Sequence, residues 1–340
     1  MTDTGSVPEV QWRVDLEDYV SVLEVSPSLH QAIAGSLGGD VILVDTSDGS
    51  ATSLQRHEMG VLNAAWSHDG SHIAVGGHDE HVHIYDPTGT PIGNVEVSEW
   101  VTALAWSPNE HILAIGAGRR LIIADHNGTV LYDFDDQPST VMAVAWSPDG
   151  SRVGVAAYGG VGWHDVSGPR SGGRKRFDWT GSLLALVVSP DGKWACAGAQ
   201  DSTVQIWKLW SGKDLTMSGY QSKIERIAFR GDSRWLAVAC LDELTVWDFG
   251  GRGPSGTVPA SASGHDNHIE SLEWSPSGGS LATGGGDGRT IVWASPMKAG
   301  QDLSPIVTVE AEASTSRLCW VGDNGLLTGR ADGALVRLTI

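Results

Sequence analysis

The chain has 340 residues, 41% of them hydrophobic and 19% charged, a balance that suits a globular fold and excludes a disordered chain. Its formal net charge of −19 argues against nucleic acid and against an anionic membrane surface, because both need clustered Lys and Arg. The same charge suits basic partners, cations or plain solubility.

Three cysteines, Cys196, Cys240 and Cys319, match no metal-ligand spacing. An odd number of them suggests reduced, buried thiols and a cytoplasmic location. The N-terminal residues lack the basic and apolar blocks of a signal peptide, and no run approaches the ~18 apolar residues of a membrane span.

In chain order, residues 1–9 read as a flexible polar tail, and the alternating segment Val10–Val14 belongs to no repeat. From there one phrase recurs: an alternating strand, a Ser-Pro-Asp-Gly-like turn, and a second alternating strand. The turns begin at Ser26, Ser67, Ser107, Ser147, Ser189, Arg230, Ser275 and Val321, at spacings of 41, 40, 40, 42, 41, 45 and 46. Ser, Asp and Gly suit such a turn, and Pro presets its backbone angle. Trp66, Trp106, Trp146, Phe229, Trp274 and Trp320 precede six of the turns, and Val25 and Val188 precede the turns of units one and five. A large apolar residue repeated at a strand end reads as packing between neighbouring sheets.

A second and a third strand follow each turn, as in Ile112–Gly116 and Leu121–Ala124. A weaker fourth strand, such as Thr129–Tyr132, leads to the next unit. Four strands per roughly 40 residues make one blade of a β-propeller. The expected fold is all-β, a single closed propeller over residues 10–340. Eight blades are favoured; seven, with a terminal unit outside the ring, is the alternative. Unit eight has only three strands of its own, so Val10–Val14 is expected to supply its fourth and close the ring.

Gly168–Arg176, Gly250–Ser263 and Ala294–Ser304 interrupt the repeat, each between a third and a fourth strand and so on one face, here the bottom. They read as tolerated surface loops. The first carries Arg170, Arg174, Lys175 and Arg176, which would also suit a small anion or an acidic partner.

The third strands carry a more specific phrase. Trp247-Asp248 ends one outright, Trp207 and Trp293 keep the Trp, and Asp45, Asp86, Asp125 and Asp165 keep the Asp. Gly264-His265 precedes the first strand of unit seven, and Arg56-His57 that of unit two. In these features the chain resembles the WD-repeat β-propellers over nearly its whole length. The resemblance implies a structural tetrad in unit seven of His265, Thr283, Asp287 and Trp293, with the buried Asp accepting from the imidazole. Unit eight keeps only Thr328 and Asp332, and unit two has Val75 in place of the hydroxyl.

Unit two is rich in histidine: His57, His68, His72, His78, His81 and His83 fall within 27 residues. His57, His78 and His81 are expected to meet at the top face beside Asp79. Imidazoles with a carboxylate would suit zinc, nickel or copper. Against that, His57 and Asp79 occupy structural positions of the family.

The resemblance also implies partner binding at the top rim, through Tyr19, Met59, Trp100, Lys223, His268 and Gln200. Trp100 and Tyr19 are the expected anchors, since large amphipathic side chains often dominate binding. Glu80, Glu99 and Asp266 would attract a basic peptide. No nucleophile elbow, P-loop or dinucleotide fingerprint is present. The leading expectation is a monomeric, non-catalytic, cofactor-free scaffold or accessory subunit that binds proteins. The alternatives are a metal- or small-ligand-binding accessory protein and an enzyme with a channel site.

Overall fold

The computed structural model describes residues 8–134, 136–167 and 174–340, and every regular element among them is a β-strand. Residues 1–7 of the expected tail and 168–173 of the basic insertion lie outside the described residues. The first strand, Glu9–Asp15, already includes the last residue assigned to that tail.

Local chemistry builds the recurrent hairpin. Ser67 Oγ donates to Asp69 Oδ1 at 2.8 Å, and the same oxygen accepts from Ser71 N–H at 3.0 Å. The pairs Ser147–Asp149 at 2.6 Å and Ser189–Asp191 at 2.7 Å repeat the first bond. Gly70, with φ 73°, supplies the left-handed residue that ends the turn. In repeat three the middle strands Ile112–Ala117 and Arg120–Asp125 are buried, whereas the outer Val130–Phe134 is largely exposed.

The core lies between neighbouring sheets. One cluster combines Ala74, Val82 and Ile84 of repeat two with Trp106, Leu113 and Ile115 of repeat three. The repeated tryptophans link these sheets by hydrogen bond as well as by packing. The indole N–H groups of Trp66, Trp106 and Trp146 donate to the carbonyls of Glu24, Ala65 and Ala105 at 3.2, 3.1 and 2.8 Å. Trp274 and Trp320 donate to Ala228 and Glu273 at 3.1 and 3.0 Å. Each acceptor lies on the innermost strand of the preceding repeat, so the indole fills the seam and satisfies a carbonyl in it.

Ring closure joins the two ends of the chain. Glu9–Asp15 pairs antiparallel with Ala334–Thr339 as the fourth strand of the last repeat. Trp12 Nε1 also donates to the Thr46 carbonyl at 3.0 Å, which ties that strand to repeat one.

The blade count requires correction. Eight separate four-stranded blades do not form: the described strands pair into seven sheets, six of four strands and one of six. Counted by hydrogen-bonded sheet, the propeller has seven blades. A merger of repeats four and five, rather than a terminal repeat outside the ring, accounts for the difference. The strand Arg174–Val188 runs for 15 residues without a break. Its first half pairs with Arg152–Asp165 and its second half with Trp194–Ala199. Elsewhere a non-extended top loop separates a fourth strand from the next first strand. Here the pairing of Tyr158 with Ser182 carries the ladder across that position.

The insertions also differ from simple loops. The end of Gly250–Ser263 is itself a strand, Ala260–Ser263, the outer strand of repeat six. The insertion Ala294–Ser304 folds against it: Leu303 N–H donates to the Ser261 carbonyl at 2.7 Å, and Leu303 is buried. This covers part of an edge that would otherwise be open to pairing.

Candidate functional site

Repeat seven holds a closed polar chain. His265 Nδ1 faces Asp287 Oδ1 at 3.1 Å, and His265 Nε2 faces Thr283 Oγ1 at 2.8 Å. Trp293 Nε1 donates to the same hydroxyl at 2.9 Å. Burial opposes the charge of Asp287, but the N–H groups of Asp266 and Arg289 and the His265 imidazole outweigh it, and hold its pKa below the usual carboxylate range. Every member is satisfied within the chain, so these four residues hold the blade together.

Repeat two keeps half of that chain. His57 Nδ1 lies 2.7 Å from Asp79 Oδ1, and Glu58 N–H donates to Asp79 Oδ2 at 3.1 Å. With Val75 in place of a hydroxyl, His57 Nε2 is buried without a hydrogen-bond partner. The four residues expected at a metal do not converge. His78 turns away to meet Trp100 edge-on, with centroids 4.7 Å apart. His81 stacks on His83 at 5.7 Å, and both line a cleft of about 530 Å³ with Asp79. His83, two residues further along the strand, is the ring that approaches His57, at 4.8 Å. Burial, and then the nearby His57, push the His83 pKa down to about 4.

The top face of repeats one to three carries an exposed apolar surface. Met59 is 53% exposed, Trp100 54% and Leu37 43%. Gly60 holds the first two repeats close: a Cβ there would lie 2.8 Å from the Leu37 carbonyl oxygen and 3.2 Å from His78 Nδ1. His78 then links Gly60 to Trp100. The patch therefore runs Leu37, Met59, His78, Trp100. Glu58, Glu80 and Glu99 are exposed beside it and carry no ion pair among the described residues. Arg56, the neighbouring cation, is engaged with Glu17 and Asp40.

The other expected rim residues lie elsewhere. Lys223 and His268 line a smaller cleft, of about 140 Å³, between repeats six and seven with Glu225, Arg226 and Glu270. Lys223 is paired with Glu225 at 2.9 Å. Tyr19 is half-buried, and its hydroxyl donates to Glu270 Oε2 at 3.0 Å, which draws it towards that cleft. Burial first, and then the Glu270 charge, push its pKa up. Gln200 is exposed on repeat five and lines neither cleft. Sequence reasoning placed Met59 and Trp100 on one rim but missed Leu37. The available signal was its place after Ser36, where the second turn of repeat one begins.

Comparisons with known proteins bear on this geometry. The family described as "WD domain, G-beta repeat" matches residues 49–86, 175–208 and 256–294. The APC/C activator protein CDH1 of Saccharomyces cerevisiae is 30% identical over 168 residues, covering 46% of this chain and 29% of that protein. The small ribosomal subunit protein RACK1y of Oryza sativa subsp. japonica is 29% identical over 116 residues, covering 33% of this chain and 34% of the relative. Cell division cycle 20.5, cofactor of APC complex, from Arabidopsis thaliana is 24% identical over 301 residues, covering 81% of this chain and 64% of the relative. The chain thus spans less than two thirds of the length of each. Among solved structures, the C-terminal WD40 domain of Sif2 superposes with a TM-score of 0.82 at 16% identity, over 98% of both chains. The computationally designed Ika8 protein gives 0.78 at 20% identity, over 96% of this chain and 98% of that one. At such identities the two structures speak for the fold alone.

Proposed function

This chain belongs to the WD-repeat family of β-propellers, and from that premise we propose that it is a non-catalytic interaction scaffold or accessory subunit which docks a basic protein segment on the top of repeats one to three. The observation that carries the reading is the exposed patch of Leu37, Met59 and Trp100, with the exposed Glu58 and Glu99 next to Met59 and Trp100 in the chain and Glu80 two residues after His78. A large apolar anchor at the centre of a patch supplies most of the binding energy, and rim charges select the partner and speed its approach. The relatives named above are an activator, a cofactor and a ribosomal subunit protein, each named for a larger assembly. Their names support an accessory role.

The three cysteines are free and buried, which supports placement in a reducing compartment such as the cytoplasm. No helix among the described residues is long and apolar enough to cross a membrane.

The test is capture of partners from the native host by the full chain, comparing wild type with Trp100→Ala. Trp100 is exposed, so the variant should melt like the wild type. Partner affinity should fall on the order of 30-fold, the equivalent of about 2 kcal/mol. Binding should also weaken as salt rises. A partner retained at full strength by the variant, or one insensitive to salt, would place the docking surface elsewhere.

A further inference from the structure

The bottom face of the same repeats gathers a second set of histidines that the docking reading does not use. His68 lies in the hairpin turn of repeat two and His72 just after it. His111 follows the corresponding turn of repeat three, and His126 follows the third strand of that repeat. Sequence separation hides their proximity, because the two turns are brought side by side only when adjacent sheets pack. The His68 and His111 rings stack at 5.4 Å, those of His72 and His111 are 4.7 Å apart, and those of His72 and His126 are 4.8 Å apart.

Asp69 stands at the centre. Its Oδ1 is saturated by the turn, accepting from Ser67 Oγ, Ser71 N–H and Ser71 Oγ at 2.8, 3.0 and 2.7 Å. Its Oδ2 faces His111 Nε2 at 2.9 Å. The turn fixes the carboxylate and leaves one oxygen directed at the seam. One ligand atom each from His68, Asp69 and His111 lies within 4.8 Å of the others. A tetrahedral zinc sphere with bonds near 2.1 Å needs ligand atoms about 3.4 Å apart. Closing that gap takes a movement of roughly 1 Å, within reach of side-chain rotation for two imidazoles at the surface.

We propose that His68, Asp69 and His111 form a divalent-cation site across the seam of repeats two and three, taking zinc or another imidazole-preferring first-row metal. Two nitrogens and one carboxylate oxygen are the donor set such metals favour over magnesium or calcium. The metal takes the place of the hydrogen between His111 Nε2 and Asp69 Oδ2, and the neutral imidazole then carries its proton on Nδ1. His72 or water completes the sphere. The site would pin the two bottom turns together on the face opposite the docking patch.

The test uses the untagged full chain, stripped with chelator and titrated calorimetrically with zinc(II) and nickel(II). One zinc per chain is expected, with a rise in melting temperature. His68→Gln/His111→Gln should weaken that site by at least about 10-fold. His78→Gln/His81→Gln, on the other face, should leave it unchanged. His68 is exposed and His78, His81 and His111 are partly exposed, and matching melting temperatures without metal would show that both variants fold as the wild type does. The proposal is overturned if wild type binds no zinc, or if the His68/His111 variant retains the site. Neither result touches the docking reading, whose readout is partner capture by Trp100 variants.

Discussion

At the scale of single residues, Val75 shows how a degenerate repeat differs from a complete one. It occupies in repeat two the place that Thr283 holds in repeat seven, pairing across the strand with His83 as Thr283 pairs with Ile291. The hydroxyl of Thr283 joins His265 to Trp293, whereas the methyls of Val75 leave His57 Nε2 without a partner. A buried unpaired nitrogen costs about 1–3 kcal/mol. Val75→Thr should therefore stabilise the protein by about 1 kcal/mol, read as a higher denaturant midpoint at an unchanged slope. A lower midpoint would mean that the site has no room for the hydroxyl. The sequence showed the missing hydroxyl and the His57–Asp79 pairing. It did not show that His83, rather than His78 or His81, approaches His57. That depends on which side of the third strand faces inward, and so on register.

Among elements, the innermost strands place charges where a closed ring must tolerate them. Glu24 on Val20–Val25 and Glu273 on Ile269–Trp274 belong to repeats one and seven, separated only by repeat eight. Burial, and then the Glu24 charge, push the Glu273 pKa up to about 8. Burial raises Glu24 to about 7, partly offset by Arg317. Glu24 presents surface to the bore yet is surrounded by the ring, so its charge is screened less well than at an open face. Both pKa values lie above those of an unfolded Glu, so the folded state holds protons that the unfolded state has released. Their contribution to stability is present in full below about pH 4.5 and is lost as pH rises towards 8. Glu273→Gln should thus melt at the wild-type temperature near pH 4.5 and above it at pH 8. Equal melting temperatures at both pH values would show that water in the bore solvates the pair. The turns and strands were legible from the repeat, but this coupling was not, because the two residues are 249 positions apart in sequence.

For the whole molecule, closure rests on the pairing of Glu9–Asp15 with Ala334–Thr339 and on the bond from Trp12 to Thr46. Gly49 accepts the Trp12 ring so closely that a Cβ would stand 2.8 Å from it. Deleting residues 1–15 should lower the melting temperature by more than about 5 °C, because one strand, its seam and its indole contact are lost together. An unchanged melting temperature would mean that the ring holds without its terminal strand. The proposed docking surface and the histidine seam lie on opposite faces of repeats two and three. Partner capture and metal binding should accordingly be separable by mutation.

The sequence by itself determined that this is an all-β propeller with turns of one chemistry, a tryptophan at most seams and a terminal strand to close it. Those features are local or periodic: Ser, Asp and Gly make the turn wherever they stand, and alternation buries one side of each strand. Only the tertiary structure decided that repeats four and five share a sheet, because continuity of a strand depends on pairing across Tyr158 and Ser182 rather than on composition. It likewise decided that Met59 and Trp100 share a patch with Leu37, that Tyr19 is turned to Glu270, and that His68 meets His111. Such contacts form between residues some 20 to 250 positions apart, and they exist only once neighbouring sheets have packed.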